Sequence, residues 1–182
     1  MRLLRCLLVN LWLCVVVAAS LGRVRFSAPY ASEFLPSIRT RGGRGRVRLG
    51  RMKSRWGLRL FADGGQISIA DGVFFNNGCS INSRAGVTVG EGTLLGENVR
   101  IYDHNHLFDL EHGVHANEFA EAEVVIGNRC WIGSNVVILK GVVICDHVAV
   151  AAGSVVRQSI AERGIYANGA NGSMVLIGRA VA

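Results

Sequence analysis

Ile126-Gly-Asn-Arg-Cys-Trp-Ile132-Gly-Ser-Asn-Val-Val-Ile138-Leu-Lys-Gly-Val-Val-Ile144-Cys-Asp-His-Val-Ala-Val150-Ala-Ala-Gly-Ser-Val-Val156 places an aliphatic residue at every sixth position. Four residues after each of the first five comes a small or β-branched one: Cys130, Val136, Val142, Val148 and Ser154. A period of six matches neither an α-helix nor an alternating strand. It fits a short strand followed by a turn, the aliphatic side chain pointing inward and the small one sitting near the corner. Gly, Asn and Asp accept the turn conformation. Three such units close a triangular coil, and stacked coils pair their strands in parallel. Each coil buries its apolar face only against its neighbours.

Working outward, the same spacing runs through Ile69, Phe75, Ile81 and Val87, then through Val89, Leu95 and Ile101. The rungs slip by two residues between Val87 and Val89. A larger break separates Ile101 from Ile126, so a protruding loop is predicted over about 107–125, beside the densest polar cluster of the chain. The fold class is therefore all-β: a parallel β-helix over 61–158, left-handed by the family resemblance that residues 126–142 carry, with an apolar and basic, helical segment ahead of it in 1–60 and a tail over 159–182.

Charge is unevenly placed. Residues 1–60 hold 13 of the 20 Lys and Arg and one acid, Glu33, a net of +12, whereas the other residues sum to −5. Such a block suits a membrane surface, a phosphate-bearing ligand or nucleic acid, though basic runs are commonly just solvated. Within it, Cys6–Leu21 is apolar apart from Asn10. It reads as a helix lying on a membrane or packing on the body, or as a signal peptide, and it is short for a membrane span. The Arg/Gly-rich 23–59 reads as an anion-binding arm or as a linker with irregular early strands. The five cysteines form no CxxC pair and are read as reduced, buried residues of a cytoplasmic protein.

Residues 126–142, together with Ala152-Gly-Ser-Val-Val156 and Val99-Arg-Ile-Tyr-Asp-His-Asn-His106, resemble the maltose, galactoside and surface-polysaccharide O-acetyltransferases of the hexapeptide-repeat family. The resemblance covers roughly 65–158. It implies a homotrimer that moves an acetyl group from acetyl-CoA to a hydroxyl in clefts between subunits. His106 falls where the family has its catalytic base, with His104 in reserve. Ser134 falls where a backbone N–H meets the thioester carbonyl, and Ala152 and Gly153 where the pantetheine arm is lined. Trp131 matches an acceptor-side tryptophan. The family's proline-containing C-terminal ending is not kept, which leaves the CoA nucleotide end without its usual match.

The chemistry asks for these residue types. Imidazole titrates near neutrality and can take the hydroxyl proton. Backbone N–H groups can hold the tetrahedral oxyanion. Asp103, Asp109 and Glu111 are candidate orienting carboxylates, Asp103 also standing beside the acceptor. Lys140, Arg157 and Arg179 are candidates for CoA phosphates. Four histidines crowd the loop region, unlike the zinc β-helices, so no metal is expected. The expected acceptor is a sugar or polysaccharide precursor, at the cytoplasmic side of an inner membrane that the basic N-terminus could meet peripherally. The rival readings are an acetyltransferase for a small soluble acceptor, and a non-catalytic scaffold whose basic arm binds nucleic acid. The arm lacks interleaved aromatics, which disfavours nucleic acid.

Overall fold

The computed structural model describes residues 2–30, 32 and 34–179. Three parallel sheets wrap into a triangular solenoid of about seven turns, the left-handed parallel β-helix expected from the sequence. In each turn the chain lays a strand on a first face, turns, lays one on a second face, and turns again onto a third. One such turn is Gln66–Ile69, Phe74–Phe75 and Ser80–Ser83; the next is Gly86–Val89, Leu94–Leu95 and Arg100–Tyr102.

The core is the stack of repeat aliphatics. Ile69, Val89, Ile126 and Ile144 pair in register on the first face, Phe75, Leu95, Ile132 and Val150 on the second, and Ile81, Ile101, Ile138 and Val156 on the third. All are buried. Each such side chain contributes about 1.5–3 kcal/mol relative to exposure. Corners turn on a left-handed residue that recurs with the repeat: Arg129, Asn135, Gly141, His147 and Gly153 all have φ between +51° and +77°. His147 is thus a corner residue.

From Ile69 to Val156, coil length varies only between the third and first faces. The register partners Leu49, Ile69 and Val89 lie 20 residues apart, whereas Ile126 and Ile144 lie 18 apart. The longer coils give the first-face strand a second inward residue: Val47 with Leu49, Ile67 with Ile69, Val87 with Val89. That is the slip between Val87 and Val89. From Val89 to its partner Ile126 the chain takes 37 residues, because a β-hairpin, His104–Asp109 with Gly113–Glu121, leaves from this corner. It is the protruding loop, and it starts earlier than 107 and ends before Val124–Ile126 rejoins the first face.

Two boundaries differ from the sequence reading. The basic stretch expected to be an arm ahead of residue 61 is itself solenoid: Val24–Phe26, Ser37–Arg41, Arg46–Leu49, Lys53–Ser54 and Arg59–Asp63 are all strands of the three sheets. Its arginines point outward while Val47, Leu49, Leu58 and Leu60 point in. The tail expected from 159 also joins the body: Gly164–Asn168 extends the second face and pairs antiparallel with Met174–Gly178, while 180–182 lie outside the described residues.

The helix Arg2–Ala19 packs on the N-terminal end of the solenoid through Val9 and Leu13, both buried. Asn10 fixes it: its amide nitrogen donates to the Tyr30 carbonyl at 2.9 Å and its oxygen accepts from the Tyr30 N–H at 2.8 Å. Leu3, Leu4, Leu7, Leu8, Leu11 and Trp12 remain exposed. Among the described residues, no helix is long and apolar enough to cross a membrane.

Candidate active site

Asp103 ends the third-face strand and decides how the hairpin leaves it. Its side chain is fully buried, yet its carboxylate is well supplied with donors. The Ser83 hydroxyl donates at 2.7 Å, the Arg84 N–H at 2.8 Å and the Ala85 N–H at 2.9 Å. A buried carboxylate with this many donors costs little, and it ties the hairpin base to the corner of the preceding coil. A fourth donor is His104, whose Nδ1 lies 2.9 Å from Asp103 Oδ1. Because an ionised carboxylate only accepts, Nδ1 carries the proton and Nε2 of His104 is the acceptor.

His104 and His106 are two residues apart on one strand and so share a face. Both meet Phe119 of the opposite strand, His104 edge-on at 5.5 Å and His106 tilted at 4.4 Å between ring centroids. The Arg84 guanidinium lies over the same ring at 3.8 Å and also pairs with Glu121 and Asp63. Nδ1 of His106 makes a long contact, 3.4 Å, to the His115 carbonyl. A carbonyl only accepts, so this contact favours the proton on Nδ1 and leaves Nε2 of the exposed ring free to take one.

The hairpin tip is a separate cluster. Asp109 accepts from the backbone of Glu111 and His112 and pairs with His115. The backbone N–H of His112 and the His115 ring hold its carboxyl below the usual range, and Asp109 in turn pushes His115 upward. Asp109 therefore orders the tip and does not orient His106, while Glu111 is exposed.

At the other edge of the third face the coils turn at Gly96, Gly133-Ser134 and Ala152-Gly153. They stack so closely that a Cβ on Gly133 would lie 2.5 Å from the Ala152 nitrogen. In several corners the amide after the glycine is claimed by a side chain of the next coil: Glu97 N–H by Ser134 Oγ, Glu91 N–H by Asn128, Asn128 N–H by Asp146. Above Ser134 the next coil offers Ala152, which has no side-chain acceptor. Among the described residues the Ser134 N–H consequently donates to nothing. Gly153 has open space where a Cβ would stand.

The sequence-predicted residues thus fall into groups. Asp103, His104 and His106 come together at the hairpin edge. Lys140, whose neighbour Gly141 donates to the Ala122 carbonyl where the hairpin rejoins, and Arg157 one coil on, lie at that same edge. Ser134, Ala152 and Gly153 come together at the opposite edge. Trp131 is 62% exposed on the second face, in register with Leu94 and Ala149, and is not brought to the histidines within one chain. Arg179 lies with Arg163 and His147 in a separate groove. Sequence reasoning missed Phe119 and Arg84, since nothing in the repeat pointed to a ring on the returning strand. Among the described residues no cluster of His, Cys, Asp and Glu could hold a metal.

A model of the bacterial transferase hexapeptide family (six repeats) matches residues 123–158. That stretch thus carries the hexapeptide repeat the model describes. The chain is 40% identical over 126 residues to WbbJ of Escherichia coli strain K12, provisionally named a lipopolysaccharide biosynthesis O-acetyl transferase. The match covers 61% of each chain, so the chain spans less than two thirds of that relative's length. Among solved structures it resembles a mutant of AntD, an N-acyltransferase of Bacillus cereus bound to dTDP-4-amino-4,6-dideoxyglucose and coenzyme A (TM-score 0.69, 15% identity, 92% of this chain and 90% of that one). It also resembles a hexapeptide-repeat acetyltransferase of Vibrio cholerae complexed with acetyl coenzyme A (TM-score 0.52, 25% identity, 74% of this chain and 65% of that one).

Proposed function

We propose that this chain is an acetyl-CoA-dependent O-acetyltransferase acting on a sugar hydroxyl in surface-polysaccharide synthesis. One observation carries the reading: an imidazole with a free Nε2 stands at one edge of the third face, and an unclaimed backbone N–H stands at the other. The base would take the proton from the acceptor hydroxyl as its oxygen attacks the thioester carbonyl. The Ser134 N–H would hold the resulting oxyanion until the CoA thiolate leaves and recovers the proton. The name of the WbbJ relative supports the polysaccharide setting.

Within one chain the two edges are too far apart to share a substrate. Ser134 and Leu139 bracket the face, and five extended residues span about 17 Å. A closed ring of three copies would bring the Ser134 edge of one against the hairpin edge of the next. The apolar ladder of Phe74, Leu94, Trp131 and Ala149 along the second face suits that contact. Lys140 and Arg157 would then reach the neighbour's donor. The exposed apolar side of the helix Arg2–Ala19 fits peripheral contact with the cytoplasmic side of an inner membrane.

The test is turnover with acetyl-CoA and sugar acceptors, beside calorimetric CoA affinity. His106→Ala should lower turnover by about a hundredfold or more while CoA binding persists. Mixing His106→Ala chains with chains altered at the Ser134 corner should restore activity, since a mixed trimer contains an intact site. Unchanged turnover in His106→Ala would refute the assignment, and no complementation would refute the shared site.

A further inference from the structure

The third face carries a strip that the proposed chemistry does not use. Parallel register sets its outward residues in two columns. Arg59 and Arg100 stand two ladder steps apart in one, with Ser80 between them. Arg39, Phe61, Asn82 and Tyr102 follow one another in the next. Together they line an open groove of about 900 Å³ on the solenoid wall.

Arg41, at the rim of this groove, pairs with Asp63 at 4.0 Å, but the arginines of the two columns do not. Among the described residues no carboxylate pairs with Arg39, Arg59 or Arg100, whereas at the adjoining corner Arg84 pairs with Asp63 and Glu121. Two ladder steps put Arg59 and Arg100 about 10 Å apart, and unlinked cations at that distance in one groove favour an anion between or along them. Two half-buried rings, Phe61 and Tyr102, lie at a like spacing beside them, and such faces suit the apolar face of a sugar ring. Ser80 and Asn82 add hydrogen-bonding groups. The strip also has a direction: Tyr102 is followed at once by Asp103, His104 and the hairpin that bears His106.

We infer that this strip holds an anionic glycan, a sugar chain bearing phosphate or carboxylate groups, and feeds one of its hydroxyls to His106. The inference rests on the acyl-transfer reading only for what happens at that hydroxyl. The exposed apolar run that could insert into a bilayer, Leu3 to Trp12, stands on the N-terminal helix.

Calorimetry on the full chain, without acetyl donor, tests the strip. The probes are hexagalacturonate and a phosphomannan fragment, which distinguish carboxylate from phosphate, with maltohexaose, inorganic pyrophosphate, a single-stranded oligonucleotide and anionic vesicles as comparators. At least one anionic oligosaccharide should bind, more weakly as salt rises. Maltohexaose should not. Arg59→Gln and Arg100→Gln should each weaken binding about tenfold, the usual loss of one charge-assisted hydrogen bond. Arg100→Lys should recover part of that, and circular dichroism confirms folding of each variant. The inference is overturned if neither anionic oligosaccharide binds, if maltohexaose or pyrophosphate binds as tightly, if the arginine variants bind normally, or if oligonucleotide or vesicles bind more tightly through the same arginines. Arginine-dependent glycan binding in a protein that never transfers acetyl groups would support the strip and sink the acyltransferase reading.

Discussion

Replacing Asp103 separates what its carboxylate does for the fold from what it does for the histidines. In Asp103→Ala the Arg84 and Ala85 amides lose their acceptor, while the Ser83 hydroxyl keeps the Gln66 carbonyl at 3.3 Å. Each stranded donor costs about 1–3 kcal/mol, and partial access of the two amides to water favours the low end, so the total is about 2 kcal/mol. Against a domain stability of about 5–15 kcal/mol this is a large share. Asp103→Asn keeps one oxygen, which can stay on Ser83 and Ala85, so its cost should be nearer 1 kcal/mol. Its amide would then face His104 Nδ1 as a donor and force the proton onto Nε2. If His106 is the base, that switch should leave turnover within about tenfold of wild type, whereas inverting the tautomer of a true base costs about ten-thousandfold in a comparable triad. Urea unfolding measures the first quantity and steady-state turnover the second. An Asp103→Ala protein as stable as wild type would refute the accounting. Collapse of turnover in Asp103→Asn with normal turnover in His106→Ala would make His104 the base.

Three further outcomes are expected. The hairpin tip should be most stable between the carboxylate and imidazole ranges: the raised His115 gives stability that is full below its unfolded value near 6.5 and fades as pH rises through the folded one, and the lowered Asp109 gives stability that is full above about 3.9 and fades as pH falls through its folded value. Amide exchange over residues 109–118 should follow that profile, and Asp109→Asn should flatten its alkaline side; a pH-independent profile would contradict it. Gly133→Ala puts a Cβ 2.5 Å from the Ala152 nitrogen and 2.8 Å from the Val150 carbonyl oxygen, so it should cost about 1–3 kcal/mol and weaken acetyl-CoA binding, with thermal melts and calorimetry as the checks. Converting Leu7, Leu8, Leu11 and Trp12 to serine removes exposed apolar area from the helix and should abolish flotation with anionic vesicles; equal flotation would exclude the helix as the contact.

The rungs from Ile69 to Val156 were legible because burial imposes one inward aliphatic per short strand. The coils before residue 61 were not, because their corners break the spacing of six and their outward arginines mask it: Arg46-Val47-Arg48-Leu49 alternates as a plain strand does. His104 and His106 were legible as candidates through the resemblance. The partner of His104 was among the candidate carboxylates, but burial chose Asp103 over Asp109 and Glu111, and burial depends on the neighbouring coil. The availability of the Ser134 N–H depends on Ala152, eighteen residues away, which becomes a neighbour only when the coils stack. Phe119 depends on hairpin register, which the tip sequence did not disclose.

From Ile69 onward the solenoid accommodates changes in chain length at a single corner. Between the third and first faces, successive turns carry no addition, two residues, or a whole hairpin, while the six-residue steps elsewhere from Ile69 to Val156 stay unchanged. This corner is therefore a grafting point: segments can be swapped there without moving a single core residue. Because the hairpin at that corner carries the histidines and borders the arginine strip, exchanging residues 104–121 between related chains would, on the acyltransferase reading, retune which hydroxyl is offered for reaction while leaving the buried core in place.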